Sequence, residues 1–161
     1  TWNIAFRSTH FAADALNKKG NYTEAIFLLA QIQASEGNLD DAISSAEVAS
    51  VVAPNDIGVF FELGLLKYKN GDYNGAIAAL EHAVILNPYY ANAKYYLGLS
   101  YNKVGRRSDA IAQFKDIALL NPDNAEVKSI LDGWMGNSTE STVNIDKQEK
   151  DRTTPPLKEK R

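Results

Sequence analysis

The chain contains no cysteine, one methionine and two histidines among 161 residues. Without cysteine there can be no disulfide, thiolate-held zinc, iron–sulfur cluster or thiol nucleophile, and the redox compartment stays open. His10 and His82 are the only imidazoles, and the H-E-x-x-H, G-x-S-x-G, Walker-loop and calcium-loop patterns are all missing. His82 stands beside Glu81 and reads as a packing or surface histidine rather than a general base. Asp40-Asp41 precedes Ala42 at a helix start, where carboxylates favour the positive end of the dipole, so it reads as capping rather than metal binding. The expectation is no enzyme activity, no metal and no cofactor. Apolar runs approaching the roughly 20 residues that cross a bilayer are also lacking, as is a charged-then-apolar leader, so no direct membrane insertion by this chain is expected.

Positive charge is scarce in most of the chain. Residues 1–146 carry 11 basic and 17 acidic residues, whereas residues 147–161 carry 6 and 3. An acidic body is a poor polyanion binder, because nucleic-acid affinity comes largely from lysine and arginine neutralising phosphates, so no nucleic-acid partner is expected. The basic end reads as a solvated tail. Asn21-Tyr22-Thr23 and Asn137-Ser138-Thr139 fit the glycosylation pattern and are weighted as chance. Starting at Thr1 with Met135 as its one methionine, the chain reads as a processed product or a piece of something longer.

What is present is repetition. GNLDDAISSAEVASVVAP (37–54), GDYNGAIAALEHAVILNP (71–88) and GRRSDAIAQFKDIALLNP (105–122) recur every 34 residues, with glycine, alanine-isoleucine and proline in fixed columns. That period holds two helices and two tight turns. Ala76, Ile77, Leu80, Ala83 and Val84 form one apolar helical face, and Ala110, Ile111, Phe114, Ile117 and Ala118 repeat it. Gly71 and Gly105 fall where the chain reverses after a first helix, and Pro88 and Pro122 end the second. Small Ala76 and Ala110 let two helices approach closely.

These columns resemble the tetratricopeptide repeat (TPR), W-x2-L-G-x2-Y, then A-x3-F, then P. Leu97, Gly98, Tyr101, Ala110, Phe114 and Pro122 match it, with Lys94 in the tryptophan column. Phe60, Leu63, Gly64, Ala76, Leu80 and Pro88 match in the unit before, with Lys67 in the tyrosine column. The earliest unit keeps Ala42, Ala49 and Pro54 and belongs by register. The resemblance implies an all-α, right-handed solenoid of antiparallel helix pairs with N- and C-terminal capping helices. Its organisation would be a TPR domain over 1–136, with an N-terminal helix 3–19, repeats 23–56, 57–90 and 91–124, and a capping helix 125–135. Trp2, Phe6, Ala13 and Leu16 would anchor the first cap, and Ile130, Leu131 and Trp134 the last. Residues 137–161 are polar and proline-bearing, and are expected to form a disordered polar tail.

In that family the first helices line a concave face. The resemblance carries this over to Phe27, Gln31, Phe61, Glu62, Leu65, Tyr68, Lys69, Asn92, Tyr95, Tyr96, Leu99, Asn102 and Lys103 as a peptide-binding groove, with Phe61, Leu65, Tyr95 and Leu99 at its centre. The carboxylate clamp of the chaperone-binding branch is absent, since its columns hold Phe27, Gln31, Glu62, Asn92 and Tyr96. Packing against caps and neighbouring repeats is the competing reading for any one aromatic. The implied function is a non-catalytic scaffold holding an apolar or aromatic segment of a protein or peptide partner. The alternative is self-association, or the TPR arm of a larger, membrane-anchored bacterial assembly. The compartment stays open, a soluble cytoplasmic place being favoured, with membership of a larger membrane-associated protein as a further reading.

Overall fold

The computed structural model describes residues 22–136, 145–150, 152 and 155–157. The expected N-terminal helix 3–19, its anchors and the turn at Gly20 lie outside the described residues. Seven helices follow in order: α1 Tyr22–Ser35, α2 Leu39–Val52, α3 Ile57–Lys69, α4 Tyr73–Leu86, α5 Ala91–Lys103, α6 Arg107–Leu120 and α7 Ala125–Met135. A short eighth, α8, spans Ile145–Lys150. There is no strand among the described residues.

The turns follow from local chemistry. Gly37, Gly71 and Gly105 have φ of 83°, 82° and 82°, a region where a Cβ is costly. In each case the next residue's N–H reaches back five positions, Asn38 to the Gln33 carbonyl, Asp72 to Lys67 and Arg106 to Tyr101, closing the preceding helix. Asp56, Asp72 and Asn124 cap the helices that follow them, their side chains accepting from the N–H groups of Val59, Gly75 and Val127.

Among α1 to α7 the main packing runs between chain neighbours, with a smaller contact of α3 on α5, which is the one-dimensional logic of a repeat stack. Ala42, Ala76 and Ala110 are all fully buried. A Cβ placed on Gly64 would lie 2.5 Å from Leu80, and one on Gly98 would lie 2.7 Å from Phe114, so glycine sets how closely each hairpin closes. Lys94 fills the tryptophan column by burying its aliphatic stem and carrying its ammonium 2.6 Å from Asp116 of α6. Lys67 likewise pairs at 2.7 Å with Glu47 of α2. Val127, Ile130 and Leu131 of α7 are buried, and Trp134 stacks edge-on to Phe114 at 4.8 Å. His82 packs on Phe60 at 4.0 Å and contacts the Pro54 carbonyl at 3.0 Å, a structural role.

The expected disordered tail needs correction where it is described. Ile145–Lys150 is helical, Ile145 packs on the main core, and Leu157 is 4% exposed within it. A polar composition alone does not decide order, because this segment borrows the apolar and hydrogen-bonding surface of α5.

Candidate functional site

Helix α5 is buried at every residue from Ala91 to Ser100. A helix in a single-layer stack buries one stripe and leaves the opposite face to solvent. Burial on all sides therefore requires a cover, and Ile145–Lys150, Arg152 and residues 155–157 provide it. Asn92 meets Leu157 as a peptide unit would: its Nδ2 donates to the Leu157 carbonyl and its Oδ1 accepts from the Leu157 N–H, both at 3.0 Å. Two matched bonds from one side chain fix a strand of main chain in place without reading its sequence.

A charged cluster lies beside this clamp. The Tyr95 hydroxyl is 2.5 Å from Glu126 of α7 and 2.9 Å from Glu149 of α8, and its single proton serves one carboxylate at a time. Arg152 enters between them. Its guanidinium donates to Glu126, to Glu149 at 2.7 Å and to the Tyr95 hydroxyl at 3.2 Å, while standing 5.4 Å from the Tyr95 ring centroid. One arginine and two carboxylates leave the cluster with a formal charge of −1 when all are ionised. Burial, the Glu126 bond and the Glu149 charge all hold the Tyr95 phenol far above its usual range, so it acts only as a neutral donor and acceptor. At the rim, Lys103 pairs with Asp146 and lies 5.8 Å over the Tyr73 ring.

Next to the cluster is a cavity of about 160 Å3 lined by Phe61, Leu65, Tyr68, Lys69 and Tyr96 from α3 and α5, and by Glu149, Arg152 and Pro155. Its aromatics Phe61, Tyr68 and Tyr96 join a ring network that extends to Tyr90 and Tyr95: Phe61–Tyr90 at 5.0 Å, Phe61–Tyr96 at 6.1 Å, Tyr68–Tyr96 at 5.6 Å and Tyr95–Tyr96 at 5.4 Å. The volume is enough for an aliphatic side chain and too small for a folded element.

Of the thirteen residues the sequence reading singles out, Phe61, Leu65, Tyr68, Lys69 and Tyr96 meet at the cavity. Asn92, Tyr95 and Lys103 contact the C-terminal segment. Leu99 is buried in the main core and Asn102 is half-buried. Phe27 packs against Ile26, Ala49 and Val59, and Gln31 is exposed; neither borders the cavity. Glu126, Glu149, Arg152, Pro155 and Leu157 were missed. Glu126 had a signal, because it lies one full period of 34 after Asn92 and so holds the same groove column in the capping helix.

Glu62 gives a pH test of this face. Burial raises its pKa above 4.5, against the opposing pull of Lys69. A carboxyl whose folded pKa is raised contributes its stability below the unfolded value and loses it as pH rises through the folded one. Glu62→Gln should therefore raise the melting temperature at pH 7 and give no gain well below pH 4.5. An equal gain at both pH values in paired thermal melts would mean that ionisation of Glu62 is not the cause.

Residues 67–132 match the tetratricopeptide repeat family model. No curated protein matches the chain. Among similar solved structures, a crystal structure of MamA is 25% identical with a TM-score of 0.71, covering 78% of this chain and 74% of its own. The type III secretion chaperone SycD of Yersinia enterocolitica, in complex with a peptide of the translocator YopD, is 18% identical with a TM-score of 0.68, covering 74% and 96%. The first TPR of Spaghetti (RPAP3), bound to the HSP90 peptide SRMEEVD, is 16% identical with a TM-score of 0.67, covering 71% and 91%.

Proposed function

Because the chain belongs to the tetratricopeptide repeat family, we propose that it is a non-catalytic interaction scaffold whose concave groove holds an apolar or aromatic-bearing segment of another protein. The observation that carries this reading is the cavity between α3 and α5, where Phe61, Leu65 and Tyr96 offer apolar surface beside the main-chain-binding amide of Asn92. A pocket for one side chain plus a clamp for backbone is what recognition of an extended peptide needs. The SycD–YopD peptide and Spaghetti–HSP90 peptide structures give the same fold in a peptide-bound state. No helix among the described residues is long and apolar enough to cross a membrane.

Phe61 and Leu65 lie four apart on α3, hence one above the other on a single face, and both are only half-buried. Apolar anchors at the centre of an interface typically cost about 2 kcal/mol or more each on truncation. The double change Phe61→Ala with Leu65→Ala should reduce enrichment of a cross-linked partner at least tenfold in quantitative mass spectrometry, with the helical CD spectrum retained. Retention of the wild-type partner set by the folded variant would move the binding surface away from this groove.

A further inference from the structure

The groove already holds a ligand, its own C-terminal segment. Three independent anchors fix that segment on α5 and α7: the paired Asn92–Leu157 main-chain bonds, Arg152 among Tyr95, Glu126 and Glu149, and the Lys103–Asp146 ion pair. Leu157 is buried while the Pro155 next to the cavity is exposed, so the segment enters at a few points rather than packing like a core element.

We propose that the segment carrying Ile145–Lys150, Arg152 and Leu157 is an intramolecular ligand that occupies the groove in cis, and that the external partner it excludes is a peptide with arginine five positions before an aliphatic residue. The inference rests on the reading of the groove as a peptide site and adds its specificity and its control. Arginine fits the Tyr95–Glu126 pocket because a planar guanidinium can donate to the Glu126 carboxylate and the Tyr95 hydroxyl together while facing the Tyr95 ring, which a lysine ammonium does less well. An aliphatic residue fits the Leu157 position because the side chain is buried there while Asn92 handles only the backbone. Control follows from tethering. A short linker holds the segment at an effective concentration on the order of 1 mM, so against a free-segment Kd of about 50 µM an external peptide of equal affinity would bind roughly 20-fold more weakly.

The test uses the full chain with Arg152→Glu and Leu157→Asp together, and a fluorescein-labelled peptide of residues 145–161. In anisotropy titrations the variant should bind the peptide at least tenfold more tightly than wild type. Adding Asn92→Ala to the variant should weaken binding, and an unlabelled peptide carrying Arg152→Ala should compete at least tenfold less well. Equal binding to wild type and variant, or none to the variant, overturns the proposal. A second measurement needs no variant: trypsin should cut the bond after Arg152 at least tenfold more slowly in the intact chain than in the free peptide, and equal rates again overturn it. Light scattering tests the cis arrangement, because a wild-type mass that doubles with concentration and reverts in the variant would put the segment in a second copy's groove. If the peptide fails on the open variant while a partner is still captured through Phe61 and Leu65, the inference falls and the peptide-groove reading stands. Loss of both removes that reading as well.

Discussion

Replacing Phe114 by alanine should cost about 3–5 kcal/mol, the usual range for a fully buried phenylalanine and a large share of the roughly 5–15 kcal/mol that stabilises an ordinary domain. The ring is 0% exposed and lies 5.1 Å from the Tyr95 ring and 4.8 Å from the Trp134 ring, so α5, α6 and α7 meet on it. Collapse into the vacated space is opposed by Gly98, whose lack of a side chain creates the room the ring fills. Gly98→Ala should by itself cost about 1–3 kcal/mol, because the added methyl would come 2.7 Å from a ring already packed against Tyr95 and Trp134. Gly98→Ala combined with Phe114→Leu should then cost less than the sum of the two single changes, since the shorter side chain relieves the collision. Additive costs in denaturant titrations would show that the close approach at Gly98 is not made against Phe114.

That contact was legible in the sequence because it lies within one hairpin. Leu97-Gly98, Ala110 and Phe114 recur 34 residues from Leu63-Gly64, Ala76 and Leu80, and a local period translates directly into which side chains face each other. The turns at Gly37, Gly71 and Gly105 were legible for the same reason, each needing one residue with positive φ at one place. Lys94 departs from the repeat pattern, and a buried stem with an ion pair to Asp116 stands in the tryptophan column. The cover on α5 was not legible. It depends on contacts such as Asn92 to Leu157, 65 positions apart, in a segment whose composition carries no helical period. A hint did exist on the other partner: Tyr95, Tyr96, Leu97, Leu99 and Tyr101 point apolar or aromatic groups around the whole of α5, and a helix apolar on all sides is a helix buried on all sides. Of these, Tyr95, Tyr96 and Leu99 stand in groove columns, and Tyr95 and Leu99 are only 0% and 2% exposed.

Two truncations separate the cover from the cap. A disordered tail would predict that removing residues 137–161 leaves the thermal midpoint unchanged; the ordered segment predicts a measurable drop, because Leu157 and the Arg152 cluster leave with it. The drop should stay modest, since a detachable segment can lend no more stability than its own docking free energy. Removing residues 125–161 should act on a different scale. It takes away Val127, Ile130 and Leu131, each worth about 1.5–3 kcal/mol of apolar burial, and bares Phe114 on the side that Trp134 covered. A loss of several kcal/mol against a marginal total should unfold α5 and α6, while α1 to α4 keep their own contacts, because repeat stacks are stabilised neighbour by neighbour. Hydrogen exchange resolves the difference: deletion from 137 should raise exchange mainly at the groove face of α5, and deletion from 125 should strip protection from α5 and α6 together. If both truncations melted alike and left α6 equally protected, α7 would not be sealing the stack, and the order of its Val127, Ile130 and Leu131 would have to come from another source.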